Sequence, residues 1–165
     1  MVFNKNVERT QIEEFENNIL ESNHLYIPGR IRKYSMIKIN LKGDFRIKQE
    51  DLFDYSLEKL LSIDCWMIIK INDKIFYSDW ICPLEFFAQY KKWKEEKGLN
   101  LKKSFQYVTT DNSENPILSF FWSPAKKSWY IDSCLKKYID ASAFSDEDLY
   151  CFFKQFENEI ETHVI

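Results

Sequence analysis

Residues 105–132, FQYVTTDNSENPILSFFWSPAKKSWYID, constrain this chain more than any other stretch, because runs of strand-forming residues there alternate with turn-forming clusters. Residues 105–110, 117–122 and 128–133 read as strands, with turn chemistry at Asp111-Asn112-Ser113 and at Ser123-Pro124. A meander of three antiparallel strands is the simplest topology for segments this close in sequence. The run contains no catalytic signature.

A change of period marks the other elements. Over residues 34–47, Ile37, Ile39 and Leu41 alternate with Lys38, Asn40 and Lys42, which predicts a half-solvated strand followed by a turn at Lys42-Gly43-Asp44. Residues 65–71 form a continuous apolar run, and Asn72-Asp73 separates it from residues 74–77 as a two-residue hairpin that tolerates positive φ. Helical spacing appears over residues 7–20 (Ile12, Phe15, Ile19) and over residues 50–63 (Leu52, Phe53, Leu57, Leu60, Leu61). Pro28 and Gly29 break the chain between the first helix and the first strand. Pro83 suits the first position of a further helix, which Gly98 is placed to end. Ser145, with Asp148 three residues on, reads as an N-cap ahead of Leu149, Phe152, Phe153, Phe156 and Ile160, the clearest amphipathic pattern in the chain.

These elements predict a single α+β domain over residues 1–165, with an antiparallel sheet of about six strands and helices packed mainly on one face. A chain of 165 residues can bury roughly 70% of its unfolded surface without a metal or a disulfide. Aromatic residues make up 17% of it, so large rings must dominate the core. With only 3 glycines, glycine-rich phosphate loops are excluded.

The residues that could carry chemistry are few. His24 and His163 are the only histidines, which argues against a histidine-dependent triad or a multi-histidine metal site. Cys65, Cys82, Cys134 and Cys151 contain no CxxC pair and no nearby histidine, the pattern of buried thiols. Asp73, Asp79 and Glu85 are the carboxylates to consider for a metal-dependent hydrolase, although Asp79 at a strand end and Glu85 in a first helical turn both suit structural roles. No cofactor and no metal are expected. The opening residues lack the apolar core of a signal peptide, so the expected location is the cytoplasm and no membrane partner is expected. A net charge of −3 argues against general nucleic-acid binding, yet Arg30, Arg32, Lys33, Lys38, Lys42, Arg46 and Lys48 cluster in one segment. That segment, with exposed rings, would serve a single-stranded nucleic-acid binder.

The segments WMIIKINDKIFYSDWICPLEFF, FQYVTTDNSENPILSFFW and SWYID, within residues 66–132, resemble small uncharacterised proteins of Gram-positive bacteria that include immunity proteins encoded beside polymorphic toxins. The resemblance implies stoichiometric inhibition of a toxin by masking of its active surface, and it transfers no particular functional residue. The expected function is therefore that of a non-catalytic, protein-binding inhibitor. The expected contacts are Trp122 and Trp129 as anchors and Glu157, Glu159 and Glu161 as an acidic surface for a basic partner. Alternatives are a phage-encoded inhibitor of a bacterial defence protein, the carboxylate hydrolase and the single-stranded nucleic-acid binder.

Overall fold

The computed structural model describes residues 36–110 and 116–165. The helix expected over residues 7–20, the break at Pro28 and Gly29, His24 and the turn at Asp111-Asn112-Ser113 lie outside the described residues.

Two three-stranded antiparallel sheets form the frame. The first contains β1 (Ile37–Lys42), β2 (Cys65–Ile71) and β3 (Lys74–Ile81) in that order, and the second contains β4 (Phe105–Tyr107), β5 (Leu118–Ser123) and β6 (Ser128–Asp132) as the expected meander. The architecture is α+β, but the single six-stranded sheet is corrected to two of three. Pro83 is the reason: it starts helix α2 (Pro83–Glu95) two residues after β3 ends. The chain leaves the sheet there and returns as β4 against α2, where Phe86 meets Phe105 and Tyr107 edge to face.

Alternation in β1 is strict, with Ile37, Ile39 and Leu41 buried and Lys38, Asn40 and Lys42 exposed. The hairpin between β2 and β3 turns on Asn72 (φ 49°) and Asp73 (φ 66°), the conformation of a two-residue primed turn. A bulge beside Ile69 and Lys70 lets both Phe76 and Tyr77 point inward.

The helix expected over residues 50–63 is instead a 3-10 turn (Gln49–Phe53) and a short helix α1 (Leu57–Leu60). Asp54 Oδ1 accepts from Ser56 N at 3.0 Å and Ser56 Oγ accepts from Lys59 N at 3.4 Å, so side chains capture the amides that a continuous helix would use. Phe53 and Leu57 are consequently exposed.

Helix α2 ends in a Schellman motif, with Gly98 N donating to Trp93 O and Lys97 N to Lys94 O. The left-handed residue is Lys97 (φ 56°), not glycine. Gly98 is required for another reason: a Cβ there would stand 2.1 Å from Trp93 Nε1, which donates to Lys103 O at 2.8 Å.

Helix α3 (Asp146–Thr162) begins with the full capping box between Ser145 and Asp148 and buries Leu149, Phe152, Phe153, Phe156 and Ile160, as the spacing predicts. Phe153 meets Phe105 and Phe120 of the second sheet and stacks on Tyr90 of α2 at 4.6 Å. Farther along, Gln155 Oε1 accepts from Ile39 N and Glu159 Oε2 from Leu41 N, so α3 also closes the outer edge of β1. Gln89 of α2 does the same for Val108 beside β4, donating to its carbonyl at 2.7 Å and accepting from its amide at 2.9 Å. Both sheets thus hide an edge beneath helix side chains, where exposed amides would template aggregation. Residues after α3 are held rather than frayed: His163 stacks on Phe45 at 3.8 Å, and Ile47 N donates to His163 O at 2.9 Å.

Candidate functional site

The inner face of the first sheet is buried in the core, whereas the residues of its outer face are partly or fully exposed. Register sets that outer face as three rows: Lys38–Lys70–Ile75, Asn40–Ile68–Ser78 and Lys42–Trp66–Trp80. Trp80 is 61% exposed, and its ring stands edge to face with Trp66 at 5.2 Å. Trp66 is half-buried and fixed by a hydrogen bond from Nε1 to Ser78 Oγ at 2.9 Å. Two indoles and two isoleucines, Ile68 and Ile75, are therefore held on one face of the sheet, bordered by lysine ammonium groups.

Trp80 also forms one wall of a cleft of ≈ 250 Å³ at the end of β3, lined by Asp64, Asp79, Cys82, Tyr107 and Thr109 as well. Cys82 Sγ lies 3.5 Å from Asp64 Oδ1, and the Asp79 carboxylate accepts from Trp80 N at 2.7 Å. Below the cleft, Glu85 is buried and accepts from the Tyr107 hydroxyl at 3.0 Å and from Thr110 Oγ1 at 3.4 Å. Burial, followed by the Glu85 charge, pushes the Tyr107 phenol well above its usual range, so Tyr107 remains a neutral donor.

The expected contact residues fall into two groups. Trp129 is fully buried, and its indole donates to Asp146 Oδ1 at 2.7 Å. Glu157 accepts from Tyr90 at 2.6 Å and Lys94 at 2.9 Å, while Glu159 serves β1 through Leu41 N and Asn40 Nδ2. All three are engaged inside the fold. Trp122 is half-buried under the Lys102 ammonium at 4.5 Å, and Glu161 is exposed.

Asp73, Asp79 and Glu85 are not brought together. Asp73 lies in the hairpin turn, six residues along β3 from Asp79, a separation of roughly 20 Å in an extended strand. Neither Asp73 nor Glu85 lines the cleft that Asp79 borders. Among the described residues, no group of three His, Cys, Asp or Glu side chains is placed to hold a metal ion. Cys65 and Cys82 are buried as expected, whereas Cys134 and Cys151 are exposed, which corrects the reading of all four as core thiols.

Sequence reasoning missed Trp66 because residues 65–71 read as a continuous apolar run, and missed Trp80 because the second hairpin strand is expected over residues 74–77 whereas β3 runs to Ile81. The signal was present in Lys70, which shares its parity with Trp66 and Ile68 and so places both on the solvent side.

Among the described residues, no helix is long and apolar enough to cross a membrane. Residues 33–165 match the family model described as Domain of unknown function (DUF7878), and the chain belongs to that family. No curated protein matches the chain, and no solved structure does.

Proposed function

We propose that this member of the family is a non-catalytic binding protein that masks a protein partner, in the manner of an immunity-type inhibitor of a toxin or effector, and that its working surface is the outer face of the first sheet. The observation that carries the reading is the exposure of Trp80 beside Trp66 and Ile68. Large indoles left in water on a rigid sheet lose little entropy when a partner covers them, and tryptophan dominates binding energy when it is desolvated. The separation of Asp73, Asp79 and Glu85 supports a binding role over the carboxylate hydrolase.

The test is co-expression with the product of the neighbouring gene, followed by purification at micromolar concentration. A stable complex that Trp80→Ala disrupts is the expected result, and the failure of any protein to co-purify with the wild type would contradict the reading. A toxin gene beside this one would separate a toxin inhibitor from a phage-encoded inhibitor of a defence protein.

The same face favours a second reading, because Trp66 and Trp80 could stack bases while Lys38, Lys42 and Lys70 meet phosphates. Titration with single-stranded oligonucleotides at low salt tests it, and unchanged fluorescence would dismiss it.

A further inference from the structure

From the arrangement of charge on this face we infer that the partner surface it fits is acidic and apolar, carrying carboxylates opposite the lysine rows and a hydrophobic socket for Trp80. The inference rests on the proposed docking face and specifies its partner. It reverses the polarity that the sequence suggests, since Glu157 and Glu159 of the acidic last helix are engaged within the fold.

The main observation is a placement that folding does not favour. Lys38 and Lys70 stand directly opposite each other across β1 and β2, and like charges in that position destabilise a sheet. Among the described residues, neither they nor Lys42 form an ion pair. Three ammonium groups with no ion-pair partner among the described residues therefore border the Ile68, Trp66 and Trp80 surface. The carboxylate bordering the face, Glu159, is held by Asn40 and Leu41 N. Local rules broken without compensation from the described residues point to function, and carboxylates from a partner would supply opposite charges.

The test uses the full chain and a synthetic peptide that alternates Asp and Glu with Leu and Phe, read by NMR through the indole and lysine amide signals. Controls are the same peptide with Lys in place of the acids, and oligothymidylate. The acidic peptide is expected to shift Trp66, Trp80, Lys38, Lys42 and Lys70, less strongly as salt rises. Lys70→Glu is expected to weaken that binding about tenfold or more while raising the urea midpoint of the protein alone, because it converts a like-charge pair into an opposite one. A merely structural lysine would not separate the two readouts in that way. The absence of shifts, or equal shifts with the Lys-bearing peptide, would overturn the inference. Tighter binding of oligothymidylate than of the acidic peptide would overturn it in favour of nucleic acid. If the natural partner is lost with Trp80→Ala but retained by Lys38→Glu and Lys70→Glu, the docking face stands and the charge assignment falls.

Discussion

The Tyr90 hydroxyl donates to Glu157 Oε1 at 2.6 Å and so ties α2 to α3. Lys94 reaches the same oxygen at 2.9 Å, and Lys154 lies 3.4 Å from the other. Burial raises the Glu157 pKa, but the hydrogen bonds from Tyr90 and Lys94 outweigh it and hold the carboxyl below its ordinary range. A carboxyl whose folded value is depressed contributes stability above its unfolded pKa of about 4.3 and loses it as pH falls through the folded value. Glu157→Gln is therefore expected to cost about 1 kcal/mol at neutral pH. The gap between variant and wild type in urea unfolding should close as pH drops below about 4.

Tyr107 links Glu85 to Cys82, donating to the carboxylate and accepting from Cys82 N at 3.3 Å. Tyr107→Phe leaves a buried carboxylate oxygen without its donor and should cost about 2–3 kcal/mol in urea unfolding. Because burial raises the phenol pKa, its contribution is complete below the unfolded value of about 10 and is lost as pH rises beyond it. The melting temperature of the wild type should fall above that pH, and Tyr107→Phe should fall less steeply.

Gln89 closes both backbone groups of Val108. Gln89→Ala should cost about 1–2 kcal/mol and speed amide exchange at Val108 while leaving Ile39 and Leu41 protected. Glu159→Ala should produce the converse pattern, with faster exchange at Leu41 and no change at Val108. Uniform acceleration in either variant would show that these side chains stabilise the whole fold and not one edge.

At the end of α2, two adjacent substitutions should act with opposite signs. Gly98→Ala drives a methyl group into the Trp93 indole and should destabilise by about 2 kcal/mol or more. Lys97→Gly relieves a side chain in the left-handed region and should stabilise by roughly 0.5–1 kcal/mol. Urea midpoints of the two single variants decide the matter.

Much of this fold is legible in the sequence wherever one strong local signal acts. The Asn72-Asp73 turn, Pro83 at a helix start, the Ser145–Asp148 capping box and the β1 alternation all predict what the chain forms. Tertiary competition explains the departures. Asp54 and Ser56 capture backbone amides and split the helix expected over residues 50–63, although both residue types carry that tendency openly. The number of sheets was not legible, because edge pairing depends on where α2 delivers β4. The candidate surface was legible only in part. Lys38 and Lys42 are read correctly as solvent-facing, whereas Trp129 disappears into the core because its indole finds Asp146. Trp80 emerges only when the hairpin register places it beside Trp66.

The central claim is that the outer face of the first sheet, and not the last helix or the Trp122 side, is the working surface. Comparing partner capture by Trp80→Ala, Trp122→Ala and Glu161→Ala at a temperature where each variant is folded separates the three surfaces: Trp80 and Glu161 are exposed, so their loss should alter stability by no more than about 0.5–1 kcal/mol, whereas Trp122 is partly packed against the core and its loss should cost more. Trp80→Ala should weaken the complex by about 2 kcal/mol or more, while Trp122→Ala and Glu161→Ala retain near wild-type affinity. Full affinity in Trp80→Ala with loss in either of the others would contradict it.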